Sequence, residues 1–334
     1  MALTRATVAA FAVGALAVTA AFALASGGDA KDPYGPPVAS SSAAMSWPPF
    51  PDSKYWSTPI RDDAKIDPRS DEMTAYVAEK LRRNPSDSPL LALREYTTTV
   101  WVGSGRDPLR RIGACTSYPC PGVADRRIRV PRGARPDPGS DGHIVFVDRR
   151  RGTSIELFKA RYSRGVWRGA GGGRFDLRRG DGAALTGSSG ATAAKLSLLA
   201  GLIRPSEIRS GRIKHAIGVT IPGIGRGRPR CPARANVSTS SDPAAPVEGT
   251  HFQLDPRIDI DRLNLPRLQR VIAVALQRYG MIVNDNGGKI AFRGENYHGK
   301  SRDGWKALGV GGRDSAVLKG IPLERLRVLA QPDC

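Results

Sequence analysis

The stretch 265–294 constrains the fold most, because three different patterns follow one another within it. Apolar residues recur at helical spacing up to Gly280, which can end the helix in the left-handed conformation. Residues 281–283 form a short apolar run that predicts a buried strand. The composition of 286–288 is that of a tight turn, and 289–293 predicts a second strand. The pattern therefore predicts a helix that leads into a β-hairpin, and such a unit needs a sheet to pack on.

Short β-rich runs between turn residues make up most of the remaining chain. They lie at 96–102, 127–130, 143–147, 154–158, 165–168, 213–221 and 251–254. Helices are expected from Ser70, as the N-cap, to about residue 84, over 191–202 and over 204–211. Together these patterns predict a mainly β fold, an antiparallel β-sandwich of jelly-roll type with three or four inserted helices.

The N-terminal region has the pattern of an export signal. Residues 1–25 combine an early arginine, Arg5, with an apolar run and a small-residue cleavage site. An uncleaved anchor is the alternative, because the run could just span a bilayer. Residues 26–51 read as a disordered Pro/Gly/Ser linker, and 52–334 as a single β-sandwich domain. We expect an exported monomer with no membrane span after cleavage of the signal.

Four cysteines are an even number, which is typical of disulfides in an exported chain. Of three possible pairings we favour Cys115 with Cys120, across a turn-rich segment, and Cys231 with Cys334. The alternative is zinc, but the chain contains no Cys-x-x-Cys or His-x-x-x-His spacing.

The net charge of +20, with 51 Lys and Arg against 31 Asp and Glu, attracts polyanions. Arginine clusters lie at 126–129, 149–151 and 226–230. The alternative is a compositional bias toward arginine with no ligand behind it. Few aromatic residues interleave with the basic runs, and no nucleic-acid-binding motif is present, so nucleic acid is the less favoured polyanion. A polysaccharide or another anionic envelope polymer is the expected partner.

Three motifs of this chain resemble motifs of a family of exported bacterial proteins of actinobacterial type. They are DGHIVFVD from residue 141, KHAIGVTIP from residue 214 and RYGMIVNDNGG from residue 278. The family combines an Asp-Gly-His strand, a His-Ala strand and an Arg-Tyr-Gly-Met-Ile-Val-x-Asp-Asn-Gly segment. This resemblance implies export and a β-rich domain. It assigns no catalytic residues.

Two of these motifs contain histidines in β-runs, His143 and His215. A histidine there can exchange protons near neutral pH. It can equally be a core histidine that holds two strands together. Glu156 lies on the strand after His143, with the opposite parity to its aliphatic neighbours. We take His143, His215 and Glu156 as candidate catalytic residues of a groove.

Asp285 and three arginines, Arg161, Arg168 and Arg174, are the candidate substrate-binding residues. A carboxylate at a strand end suits glycoside hydrolysis, and arginines can bind a carboxylate in bidentate fashion. Ordinary turn chemistry also explains Asp285, and solvated side chains explain the arginines. Tyr279 could serve a polysaccharide lyase, although its position on the apolar helical stripe favours the core.

Several catalytic signatures are absent from the sequence: Gly-x-Ser-x-Gly, the phosphate-binding loop and His-Glu-x-x-His. We expect no cofactor and no metal. The function predicted from the sequence is action on an extracellular or cell-envelope polysaccharide, by lyase or glycoside hydrolase chemistry. The alternative is a non-catalytic envelope protein that binds anionic glycan through its arginines.

Overall fold

A computed structural model describes residues 49–86, 88–185 and 190–334, all within the unit Pro33–Cys334. The predicted signal segment, and the predicted linker up to residue 48, lie outside the described residues. The described part contains sixteen strands and three α-helices, so the prediction of a mainly β fold with inserted helices is confirmed. None of its helices is long and apolar enough to cross a bilayer.

Most of the strands and helices are short. The helices are α1 (Ser70–Arg83), α2 (Pro205–Ser210) and α3 (Arg267–Arg278). The strands are β1 (Leu90–Ala92), β2 (Thr98–Gly103), β3 (Leu109–Ile112), β4 (Arg127–Arg129), β5 (Ile144–Asp148), β6 (Thr153–Phe158), β7 (Arg161–Ser163), β8 (Val166–Arg168), β9 (Gly171–Asp176), β10 (Ile217–Ile221), β11 (His251–Leu254), β12 (Met281–Asn286), β13 (Ala291–Arg293), β14 (Glu295–Asn296), β15 (Ser315–Val317) and β16 (Leu326–Val328).

The strands form three sheets. A large sheet has the order β15-β1-β13-β10-β12-β11-β16, a middle sheet the order β14-β2-β5-β6-β9, and a small sheet the order β4-β3-β8-β7. The pairing is mixed, whereas the sequence predicted antiparallel pairing. The strands β10 and β12, for example, are parallel, as are β2 and β5. Parallel neighbours are possible because long connections separate these strands in the chain.

The predicted hairpin of 281–293 does not form, and this is a correction to the sequence analysis. β12 and β13 do not pair with each other, because β10 lies between them, parallel to β12 and antiparallel to β13. All five residues of β10 are buried, so this strand must pair on both edges. The predicted tight turn at 286–288 is also absent, because Asn286 belongs to β12 and residues 288–289 form only a bend in the connection to β13.

Three apolar clusters hold these layers together. The first lies between the large sheet and the helices, and joins Val77 of α1 and Ile272 of α3 to β10 and β12. The second lies on the middle sheet around Val145 and Phe175, and includes Ile282 of β12. The third, around Trp101 and Trp167, fills the space between the middle and small sheets. The three sheets are thus layers of one continuous structure, with burial of apolar surface as its main stabilisation.

Two local helix predictions need correction. Ser70 is not the N-cap of α1: that place is taken by Arg69, and the Ser70 hydroxyl accepts a hydrogen bond from the backbone of Val328 (2.9 Å). Residues 191–202 form turns and no helix. The Thr192 side chain bonds both the N–H and the carbonyl of Leu196, and such local bonds compete with a helical backbone.

Both predicted disulfides are present. Cys115 bonds Cys120 across five residues, and Cys231 bonds Cys334 across 103 residues. The first closes a loop whose backbone hydrogen-bonds to Gly169 and Ala170, directly after β8. The second attaches the C-terminus to the middle of the chain. Two such bonds are typical of a protein that folds in an oxidising compartment.

Candidate functional site

His143 lies immediately before β5 and is enclosed, with 1% of its surface exposed. Its backbone N–H donates to Asp137 Oδ2 (2.5 Å), and its ring Nε2 is 3.1 Å from the carbonyl oxygen of Ala191. Burial, together with the nearby cation of Arg293, lowers the pKa of His143 to about 3. The imidazole is therefore neutral at neutral pH and does not face an open groove.

Glu156 is fully buried on the face of the middle sheet that carries the second apolar cluster. Its carboxyl group receives hydrogen bonds from Ser154 Oγ (2.9 Å), Ser197 Oγ (2.6 Å) and the backbone N–H of Leu198 (2.6 Å). Burial raises the pKa of Glu156 to about 7, although these three donors oppose the rise. The residue ties β6 to the turns at 191–202, which is a structural use of the carboxyl group.

His215 is also enclosed, with 1% of its surface exposed. Its Nε2 lies 2.9 Å from Glu207 Oε1, and its Nδ1 lies 2.8 Å from the carbonyl oxygen of Ala216. Burial alone would lower the pKa of His215, but the charge and hydrogen bond of Glu207 outweigh it and raise the pKa. The contact between His215 and Glu207 joins α2 to the chain that enters β10.

The three candidate catalytic residues do not line one open cleft. His143 and Glu156 both contact the turns at 191–202, whereas His215 belongs to a separate network with α2. Each is enclosed, and each hydrogen-bonds to protein groups. Their catalytic roles stay predictions, and the geometry gives all three a part in holding strands and turns together.

Asp285 lies at a defect in the large sheet. The register of β10 and β12 shifts between Val219 and Thr220, which leaves Asn284 as a bulged residue without a partner in β10. Bulges re-aim neighbouring side chains, and they are frequent next to functional sites. Here Arg293 donates to Asn284 Oδ1 (3.1 Å) and to Asp285 Oδ2 (2.7 Å). The Asp285 side chain remains 18% exposed.

Glu248 is the unusual member of this cluster, since it is fully buried and neither oxygen of its carboxyl group has a hydrogen-bond partner among the described residues. Burial and the negative charge of Asp285 hold its pKa well above the usual range, against the opposing effect of Arg293. Burial likewise raises the pKa of Asp285. The cluster therefore contains a buried carboxyl group with a raised pKa beside an ion pair that is partly exposed to solvent.

The arginines of the small sheet form a second kind of site. Residues that are paired in register, and residues two apart along a strand, share one face of a sheet. By this rule five arginines lie on one face of the small sheet: Arg127 and Arg129 of β4, Arg111 of β3, Arg168 of β8 and Arg161 of β7. We call it the arginine face, and all five residues are exposed. The other face carries Ile112, Ile128 and Trp167 of the third apolar cluster.

Like charges stand directly opposite each other on the arginine face. Arg111 pairs in register with Arg127, and Arg161 with Arg168. Such pairs destabilise a sheet, because side chains at opposed positions are close neighbours. Asp125 neutralises Arg111 (Nε to Oδ1, 3.1 Å). Among the described residues no ion-pair partner is present for the arginines at positions 127, 161 and 168.

The structure thus unites two of the three predicted substrate-binding arginines. Arg174 lies apart, on β9 of the middle sheet opposite Ile155. Sequence reasoning missed Arg111, and only β4, with Ile128 between two arginines, carries the alternation that signals a basic face. Glu248 and Arg293 have no comparable signal, because only the fold places them beside Asp285.

No cluster of histidine, cysteine or carboxylate side chains suited to a metal ion occurs in the described ranges. Neither a protein-family model, nor a curated protein, nor a solved structure matches this chain. Two features therefore remain as candidates, the Asp285 cluster and the arginine face, and they differ in what can reach them. The first is mostly enclosed, and the second is open to solvent across four strands.

Proposed function

We propose that this is an exported protein that binds an anionic polysaccharide of the cell envelope or the extracellular space, without cleaving it, on the arginine face. The observation that carries the proposal is the like-charge register of this face. Arginines opposite one another cost stability, so their arrangement is accounted for by a bound polyanion that neutralises them. The guanidinium group suits this role because it binds carboxylate or sulfate groups through two parallel hydrogen bonds.

The compartment favours a polysaccharide over a nucleic acid. Two disulfides are typical of proteins outside the cytoplasm, where acidic polysaccharides and other envelope polymers are abundant. The side chains between the arginines are Leu109, Ser163 and Val166, so the face offers no aromatic platform for stacking of bases. Charge complementarity, and not base recognition, is what this surface provides.

The test compares two variants that lose the same charge. The first is Arg127→Gln/Arg161→Gln/Arg168→Gln, on the arginine face. The second is Arg149→Gln/Arg150→Gln/Arg226→Gln, at exposed positions elsewhere. Equilibrium binding to polygalacturonate is measured for both, with dextran as the neutral polymer and duplex DNA as the competing polyanion.

The proposal expects the first variant to bind polygalacturonate at least tenfold more weakly than the wild type, and the second to stay within about threefold. Wild-type binding should weaken steeply with added salt, because bound counterions are released. Equal losses in the two variants would contradict the proposal, and so would equal binding to dextran. Tighter binding to duplex DNA than to polygalacturonate at the same salt concentration would show that the ligand is a nucleic acid and not a polysaccharide.

A second candidate function, cleavage of the polysaccharide, is favoured by the Asp285 cluster alone. Glycoside hydrolysis requires a proton donor and a carboxylate that acts as base or nucleophile. The raised pKa of Glu248 suits the proton donor, and Asp285, partly exposed and paired with Arg293, suits the carboxylate. The exposed part of Asp285 is the only portion of this pair that a polymer could contact in the described structure.

Release of new reducing ends from a panel of acidic and neutral polysaccharides tests this second candidate. Cleavage would be expected from the wild type and abolished by Asp285→Asn, with Asp259→Asn as the control at an exposed carboxylate. If the wild type releases no reducing ends from any polymer that it binds, or if Asp285→Asn retains full activity, the cluster is structural. His143→Gln and His215→Gln belong to the same assay as tests of the predicted histidine roles.

A further inference from the structure

The arginines of the small sheet lie on a diagonal that crosses all four strands. Arg127 and Arg111 occupy opposed positions on β4 and β3, and Arg168 and Arg161 occupy opposed positions on β8 and β7. β3 and β8 are parallel with Arg111 opposite Val166, so Arg168 lies two residues further along than the position opposite Arg111. One arginine of each strand therefore lies on this diagonal, and Arg129 of β4 lies two residues to the side of it.

Gly113, directly after β3, leaves room for the Arg168 side chain between β3 and β8. A Cβ atom at Gly113 would lie 2.9 Å from Nε and 3.0 Å from Cγ of Arg168. The Arg168 side chain therefore lies across Gly113, and so leans from its own strand toward the chain that continues β3. By register the step between Arg111 and Arg168 is the longest on the line, because it combines one strand spacing with a shift of two residues. Any side chain at residue 113 would have to displace the arginine.

The spacing of the line suits a particular kind of polymer. Neighbouring strands are about 4.8 Å apart, so the three steps from β4 to β7 span roughly 14 Å. A single step of about 4.8 Å between neighbouring strands is comparable to the length of one sugar residue in an extended polysaccharide. A polymer that runs across the strands would then meet one arginine for each sugar. A polymer that runs along a strand would meet only Arg127 and Arg129 of β4.

We infer that the ligand of the arginine face is a linear polysaccharide with one carboxylate on every sugar, and that it crosses the four strands with Arg168 held over Gly113. The inference rests on the proposed function and adds to it the direction and charge spacing of the polymer. It assigns Gly113 as a positioning residue, which acts through Arg168 and has no charge of its own. Simple attraction between a basic protein and a polyanion would require neither feature.

Gly113→Ala tests the inference without altering the charge of the protein. The matched control is Gly105→Ala, since a Cβ atom at Gly105 would meet nothing within 4 Å. The affinity for galacturonate oligomers is expected to fall three- to tenfold in Gly113→Ala and to stay unchanged in Gly105→Ala. Thermal melting of both variants establishes that they are folded. An unchanged affinity in folded Gly113→Ala overturns the role of Gly113.

A double-mutant cycle separates an effect through Arg168 from any other effect. If Gly113 acts by positioning Arg168, then Gly113→Ala in an Arg168→Gln background should cause less than a twofold further loss. A full additional loss would contradict the inference. The cycle uses only differences among folded variants, so it remains decisive if Gly113→Ala lowers stability.

The charge spacing is tested with oligomers of equal charge. A galacturonate tetramer and a hyaluronate octamer each carry four carboxylates, on every sugar in the first and on alternate sugars in the second. The inference expects the tetramer to bind at least fivefold more tightly. Equal affinities would leave the proposed function intact and overturn the spacing. Absence of salt-sensitive binding to either oligomer, or to polygalacturonate, would overturn the proposed function itself.

Discussion

Charged residues inside this protein and charged residues on its small sheet follow opposite rules. In the interior, Glu295 bonds Lys300 at 2.8 Å and lies 3.7 Å from Arg204, with each side chain at most 5% exposed. On the arginine face, arginine stands opposite arginine. Buried charges with partners are explained by folding, because a charge left alone there would be costly. Exposed like charges in register are not explained by folding, and this is why we propose a ligand for them.

The largest effect that sharpens this comparison is expected from Glu295→Gln. Loss of this charge leaves Lys300 buried without the carboxylate that it contacts, and removal of one member of a buried ion pair typically costs about 3–5 kcal/mol. Urea unfolding measures the change. Glu72→Gln removes an exposed ion pair with Arg69 and should cost less than about 0.5 kcal/mol. Similar costs for the two variants would contradict the contrast between interior and surface.

Glu156 is expected to make the folded protein less stable as the pH rises. Its pKa is raised from 4.5 to about 7, so the folded state keeps a proton that the unfolded chain releases. The stabilisation is fully present below pH 4.5 and is lost as the pH rises to about 7. The loss is on the order of 3 kcal/mol, from the size of the shift.

Urea unfolding at pH 4.5 and pH 7.5 measures this effect, and Glu156→Gln is the variant that cannot ionise. The variant should lose less stability than the wild type between the two values. Part of the pH dependence should remain in the variant, because burial also raises the pKa of Asp137 to about 7. An identical pH dependence in wild type and variant would contradict the assignment to Glu156.

The smallest expected effect is a gain in stability. Arg161→Thr removes one member of the opposed pair with Arg168 and introduces a residue that favours strands. We expect the free energy of unfolding to rise by about 0.5 kcal/mol, while binding to polygalacturonate weakens. Arg150→Thr, in the exposed turn between β5 and β6, should change neither quantity. A loss of stability in Arg161→Thr would mean that the opposed arginines are not strained.

The sequence predicted the mainly β class, α1, α3 and both disulfides, because each depends on local patterns of apolar residues, turns or cysteines. It could not predict that β10 separates β12 from β13, since nothing near 281–293 indicates a third strand. The turns at 191–202 were expected as a helix because their dependence on the distant carboxyl group of Glu156 is invisible in the local pattern. Likewise, only the fold places Glu248 beside Asp285.

The arginine face was predictable in part. Arg161 and Arg168 were chosen as carboxylate ligands, and the structure places them on opposed positions of one exposed face. Arg174 was chosen on the same grounds but lies on another sheet, because its strand pairs with β6. The parity of a residue within its strand can be read from the sequence, but the identity of the neighbouring strand cannot.

Protection of individual arginines from chemical modification tests the central claim most directly. The protein is treated with phenylglyoxal in the presence and absence of saturating polygalacturonate, and the modified residues are identified by mass spectrometry. The account predicts strong protection of Arg127, Arg161 and Arg168, with Arg149 and Arg226 modified equally in both samples. Equal protection of all five, or protection confined to Arg149 and Arg226, would contradict it.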